Sequence, residues 1–188
     1  MEAEIDEDIR RINELRLVHK ARARIISYNA MSMQQPGRWE DVQKFLGDND
    51  IIGISGTRTK AKPGQSYTVR KMKNHEVIEW GYEKGRPHTN PSCGVAIMLG
   101  KKKFPRESWR TIFNPIKSMS GRMGAVRIKT RDADICLIVF YAPIEPENDN
   151  ERKTSRKCYA ELEKFIMNLP HRCVPIIMTD ANARVGLD

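Results

Sequence analysis

The order of apolar segments predicts an α/β fold, a layered sandwich of mixed β-sheets with helices on the outside. Two observations carry that expectation. A strand, a helix and a second strand follow one another within residues 25–55, the pattern of a βαβ unit with parallel strands. Between residues 66 and 141, short apolar runs alternate with turn residues and read as antiparallel hairpins, before a second helix and a last strand close the chain.

Residues 2–24 read as a charged helix. Ile5, Ile9, Ile12 and Leu15 recur at helical spacing, and the charge passes from Glu2, Glu4, Asp6, Glu7 and Asp8 to Arg16, Lys20, Arg22 and Arg24, which suits the helix dipole. Residues 1–23 are therefore set apart as a charged helical extension, and residues 24–188 as the domain. The run Ile25-Ile26-Ser27-Tyr28-Asn29 is a strand ending on a polar residue. Residues 38–46 place Trp39, Val42, Phe45 and Leu46 on one face of a helix closed by Gly47. Residues 50–55 are a second apolar strand. Further strands are expected at 66–72, 75–81, 93–99, 123–129 and 134–141. Two long gaps remain, 83–92 and 100–121. Loops of such length are often binding elements, and Lys101, Lys102, Lys103, Arg106, Arg110 and Lys117 crowd the second, with Arg122 just beyond it. Residues 149–168 form a helix with Cys158, Leu162, Phe165 and Ile166 on one side, ended by Pro170.

The last strand, from Val174, is the stretch where chemistry is expected. It ends in Asp180 and Asn182, followed by a Gly-containing turn. Strand ends are where α/β folds place their functional groups, and a carboxylate beside a carboxamide can bind a metal, orient water and donate to an oxyanion. The same Asp-x-Asn pattern is also ordinary turn chemistry.

Composition narrows the classes. A chain of 188 residues, 39% hydrophobic and 30% charged, has no apolar run near the ~18 residues that span a bilayer, so no membrane partner is expected. The acidic start is unlike a signal or transit peptide. Cys93, Cys136, Cys158 and Cys173 are widely spaced and form no C-x-x-C pair, which points to buried thiols and an intracellular, reducing compartment. A net charge of +9 favours polyanionic partners, nucleic acid foremost.

Strung together, five short segments resemble the endonuclease/exonuclease/phosphatase superfamily of Mg²⁺-dependent phosphodiesterases. They are Ile25-Ile26-Ser27-Tyr28-Asn29, Asp50-Ile51-Ile52-Gly53-Ile54, Gly94-Val95-Ala96-Ile97, Phe140-Tyr141-Ala142-Pro143 and Thr179-Asp180-Ala181-Asn182. The run from Gly121 to Lys129, continuing to Tyr141-Ala142-Pro143, looks most like the endonuclease domains of non-LTR retrotransposons. The resemblance covers residues 24–186. It implies that Asn29 sits beside the metal, with Asp180 as the other metal-site residue of this chain, and that Tyr141 bonds the scissile phosphate. It further implies that Asp180 orients or deprotonates the attacking water and that Asn182 steadies the phosphorane oxygens. Mg²⁺ or Mn²⁺ is the implied cofactor, DNA the implied partner and the nucleus the implied location. A fused reverse transcriptase would also follow from it.

Two departures matter. Where the resemblance implies a metal-binding glutamate after the second strand, this chain reads Ser55-Gly56-Thr57-Arg58, and no Asp or Glu occurs from Ile51 to His75. Mg²⁺ wants anionic oxygen, so activity is expected to be weak or absent. A Ser-Asp-His motif with its catalytic histidine is also not found; His19, His75, His88 and His171 match no catalytic position. The C-terminal part of the fold is expected to be missing, leaving the first sheet's apolar face uncovered. The alternative reading is a non-catalytic relative that binds nucleic acid.

Overall fold

The computed structural model of the chain describes residues 22–84, 91–114, 116, 119–130, 133–144 and 146–180. The expected N-terminal helix, His19, His88, Lys117 and Asn182 lie outside these residues, and residues 22–24 are not helical.

Strand β1 (Ile25–Asn29) and strand β2 (Ile51–Ser55) pair in parallel, joined by helix α1 (Arg38–Leu46), as the βαβ pattern requires. From β2 the sheet continues antiparallel through β5 (Val95–Gly100), β4 (His75–Trp80) and β3 (Thr68–Lys71), giving the order β1-β2-β5-β4-β3. A second, four-stranded sheet runs β6 (Trp109–Phe113), β7 (Met123–Ile128), β8 (Asp134–Tyr141) and β9 (Cys173–Asp180). Helix α2 (Asp149–Met167) makes the crossover that leaves β8 and β9 parallel. Strand β6, preceded by a 3₁₀ turn at Arg106–Ser108, corrects the expectation of one irregular loop over residues 100–121.

Helix α2 begins with a reciprocal cap. Asn148 accepts from the Glu151 backbone N–H at 3.0 Å, and the Glu151 carboxylate accepts from the Asn148 amide at 2.9 Å and the Glu147 N–H at 2.8 Å. Helix α1 buries Trp39 and Val42, but Phe45, expected on the same face, is 78% exposed.

Alternation along the strands sorts the apolar side chains into three layers. Between the sheets lie Ile51, Ile78, Trp80, Val95, Ile97, Val126, Leu137, Val139 and Met178. Outside the first sheet, Ile52, Ile54, Val77 and Met98 pack on α1; outside the second, Ala125, Cys136, Ile138 and Phe140 pack on α2. All four cysteines are buried as reduced thiols, and burial beside Cys173 pushes the Cys136 thiol up to about 12. Trp80 anchors the central layer: its Nε1–H donates to the Phe113 carbonyl at 3.0 Å. Its ring lies so close over Gly124 that a Cβ there would come within 2.2 Å of it. Among the described residues no helix is long and apolar enough to cross a membrane.

The first sheet is therefore not left bare. The second sheet covers its inner face, correcting the expectation of an uncovered face; what stays open is one flank. Strands β1 and β9 are the edges of their sheets on that flank, and the Ser27 hydroxyl bridges them to the Thr179 carbonyl at 3.3 Å. Ile25, Val174 and Ile177 are 41%, 52% and 43% exposed there. The Arg172 and Asp180 carbonyls bond towards β8, so the backbone N–H and C=O groups of odd-numbered residues of β9 point away from β8. Pro175, with no N–H to offer, falls in that outward row.

Candidate active site

Parallel pairing of β1 with β2 and of β8 with β9 brings four strand ends to one end of the sandwich. Asn29 lies opposite Ser55, and Tyr141 opposite Asp180. The sheets then meet: the Asn29 side-chain amide donates to Asp180 Oδ2. Its oxygen accepts from the Met31 N–H at 3.0 Å. A backbone N–H can only donate, so this contact fixes the amide with its oxygen turned towards the loop and its nitrogen towards the carboxylate. Asn29 is exposed and Asp180 half-buried, so both line an open cleft.

The floor beside them is built by the turn after β2. Ala30 N–H donates to the Ser55 carbonyl, Thr57 N–H to the Gly94 carbonyl and Met33 N–H to the Thr57 carbonyl, at 3.0, 2.9 and 2.9 Å. Gly56 adopts φ +66°, and a Cβ on it would stand 2.7 Å from Asn29 Oδ1. The position where the resemblance calls for a metal-binding glutamate is thus a left-handed turn pressed against the asparagine amide. The Ser55 hydroxyl beneath it is buried and has no hydrogen-bond partner among the described residues.

Tyr141 is 8% exposed. Its backbone exchanges bonds with Arg122: Tyr141 N–H donates to the Arg122 carbonyl at 2.7 Å, and Arg122 Nη1 donates to the Tyr141 carbonyl at 3.3 Å. The Arg122 guanidinium carbon sits 5.8 Å from the Tyr141 ring centroid. Arg122 is only 6% exposed, which corrects its assignment as a surface contact for nucleic acid: it is an internal prop for Tyr141.

The other predicted basic residues are not part of this cleft. Strand β5 runs antiparallel to β2, with Ile51 opposite Leu99, so Lys101, Lys102 and Lys103 emerge at the far end of the sheet, roughly 13 Å of strand away. Arg106 and Arg110 lie at that same far end of the second sheet, beside Trp109, which pairs with Ile128. The cations at the cleft end include Arg58, Lys60 and Lys62, on the loop leaving β2; sequence reasoning passed over them, although they directly follow a strand end it had marked.

Mg²⁺ does not fit the described donors. No group of three or more His, Cys, Asp or Glu side chains among the described residues is placed to share a metal ion. Asp180 is a single carboxylate with one oxygen already bonded to the Asn29 amide nitrogen, and the amide oxygen is held by Met31. A hard cation needs several oxygen ligands, which these residues do not supply.

No protein-family model and no curated protein sequence matches the chain. Solved structures do share its fold. An AP endonuclease from Archaeoglobus fulgidus is 18% identical, with a TM-score of 0.58 over 86% of this chain and 58% of its own. The Xenopus laevis APE2 catalytic domain is 15% identical, with a TM-score of 0.54 over 85% of this chain and 58% of its own. D. rerio TDP2 in complex with single-strand DNA product is 15% identical, with a TM-score of 0.52 over 88% and 62%. The chain spans about three-fifths of the length of these proteins.

Proposed function

We propose that this chain, which has the fold of the endonuclease/exonuclease/phosphatase superfamily, descends from a metal-dependent phosphodiester hydrolase of the endonuclease type. By itself it hydrolyses phosphodiesters weakly or not at all. The wording of residues 121–143 supports a retrotransposon origin, and the D. rerio TDP2 complex supports nucleic acid, DNA first, as the partner.

The observation that carries the reading is the joined state of Gly56, Asn29 and Asp180. In-line attack on a phosphodiester needs a placed water and neutralised non-bridging oxygens. On this reading Asp180 orients the water and Tyr141, braced by Arg122, contacts the phosphate, the roles that the resemblance implies. The charge that a metal-binding carboxylate would bring is absent from the β2 turn, and the Asn29 amide oxygen stands 2.7 Å from where a Cβ on Gly56 would be. That same observation favours the second reading, a relative that holds nucleic acid without cutting it.

Relaxation of supercoiled plasmid by the purified chain with Mg²⁺ or Mn²⁺ tests this, alongside Asp180→Ala and a circular-dichroism check of folding. The expected result is no nicking above the Asp180→Ala background. Metal-dependent nicking that Asp180→Ala abolishes would overturn it and assign hydrolysis to this chain.

A further inference from the structure

At the end of the sandwich opposite the cleft, the β3–β4 turn and the loop after β5 lie side by side. They are knitted into one platform. Lys101 N–H donates to the Asn74 carbonyl at 3.0 Å, and its ammonium group bonds the Met72 and Lys73 carbonyls. On the other side, the Lys103 ammonium lies 2.8 Å from the Asp50 carboxylate and 2.6 Å from the Arg22 carbonyl. Burial works against ionisation of Asp50, but Lys103 and the Arg24 N–H outweigh it and hold its carboxyl below the ordinary value. Asp50 is therefore already matched, while other acids at this end, among them Glu76 opposite Lys71 and Glu107 beside Arg106, form no ion pair among the described residues.

Around that matched pair, other bases stand unmatched. Lys71, Lys73, Lys102 and Arg106 are exposed and make no ion pair among the described residues. The Arg106 guanidinium lies 4.3 Å from the Trp109 ring centroid, which holds it flat at the surface. Two lysines of the platform spend their charge fixing its shape, and the rest present theirs to solvent from a fixed frame.

We propose that this basic pole is a second nucleic-acid contact, which grips the phosphate backbone irrespective of sequence at the end of the molecule away from the cleft. The proposal rests on the reading of this chain as a nucleic-acid-binding member of its fold. Duplex DNA carries a charge about every 1.7 Å along its axis, so a rigid set of unmatched cations gains by releasing its counterions. An anionic lipid surface suits the pole less well, because no large apolar side chain of residues 71–74 or 100–108 is exposed to enter a bilayer.

The test is fluorescence anisotropy of a labelled 20-base-pair DNA duplex with the full chain, titrated between 50 and 200 mM salt. Lys73→Glu/Lys102→Glu/Arg106→Glu is expected to weaken binding more than tenfold. It should also flatten the slope of log affinity against log salt by about 3, close to one unit per lost phosphate contact. The charge-neutral Lys73→Gln/Lys102→Gln/Arg106→Gln variant, with unchanged circular dichroism, is expected to show the same direction with a smaller loss. If the Glu triple binds within twofold of the parent while Arg58→Glu/Lys60→Glu/Lys62→Glu loses tenfold, the pole is not a site and only the cleft binds. Absence of binding by the parent at 50 mM salt would overturn both this inference and the nucleic-acid reading beneath it. Capture of the parent by phosphatidylserine vesicles, lost in the Glu triple while DNA binding persists, would assign the pole to membranes instead.

Discussion

Gly56 shows how a single missing side chain is locked in by its neighbours. Restoring the carboxylate by Gly56→Glu has to force an L-residue into φ +66° and set a Cβ 2.7 Å from Asn29 Oδ1. The left-handed conformation alone costs roughly 1–2 kcal/mol. The variant is expected to unfold at lower urea than the parent and to show no Mg²⁺ binding by titration calorimetry; tight Mg²⁺ binding at an unchanged urea midpoint would contradict this. Glu79 offers a second residue-scale prediction. It is 4% exposed, and burial raises its carboxyl above the ordinary 4.5, against the opposing pull of the Thr59 hydroxyl, Arg70 and Lys62. The native state then keeps the proton longer than the unfolded chain does, so the contribution of Glu79 to stability is greatest below pH 4.5 and is lost as pH rises through the native value. Urea midpoints measured from pH 4 upwards should show that decline in the parent and a flatter profile in Glu79→Gln. Equal profiles would remove Glu79 as its source.

At the scale of elements, the cap of α2 is the most testable local device. Asn148→Ala removes both the acceptor for Glu151 N–H and the donor to its carboxylate, and should cost about 1 kcal/mol by urea denaturation. An unchanged midpoint would mean that tertiary packing alone sets the helix start. Elements with dense apolar runs, such as β2, β5 and β8, were legible in the sequence because burial on one or both faces leaves a continuous signal. Strand β6 was not, because its Trp-Arg-Thr-Ile-Phe run sits among Lys101, Lys102, Lys103 and Arg106, and charge masked an aromatic and β-branched segment. Phe45 was misplaced for a related reason: helical spacing says which residues share a face, not how far the sheet beneath extends. Asn29, Tyr141 and Asp180 were legible as strand ends. That the basic loop belongs to the opposite pole was not, because it depends on β5 running antiparallel to β2, a relation that composition does not carry.

At the scale of the molecule, the open flank dominates. Two adjoining edge strands expose Ile25, Val174 and Ile177, and among the described residues neither has a strand paired to its outer edge, the arrangement that invites pairing with another chain. Concentration-dependent association is expected in sedimentation velocity, and Val174→Lys/Ile177→Lys should reduce it without lowering the urea midpoint. A parent that stays monomeric at all concentrations would show that Pro175 already suffices to blunt the flank.

The bond between Asn29 and Asp180 also has a consequence in time. Its partners are 151 residues apart in the chain, so at about 5–20 residues per second of synthesis Asn29 waits roughly 8–30 s for the carboxylate it will hold. Strand β1 can pair with β2 almost at once, whereas the cleft closes only after every other described strand has been made. The Asn29–Asp180 contact forms only once β9 has been made, and any nascent chain halted before β9 carries its first sheet without that contact.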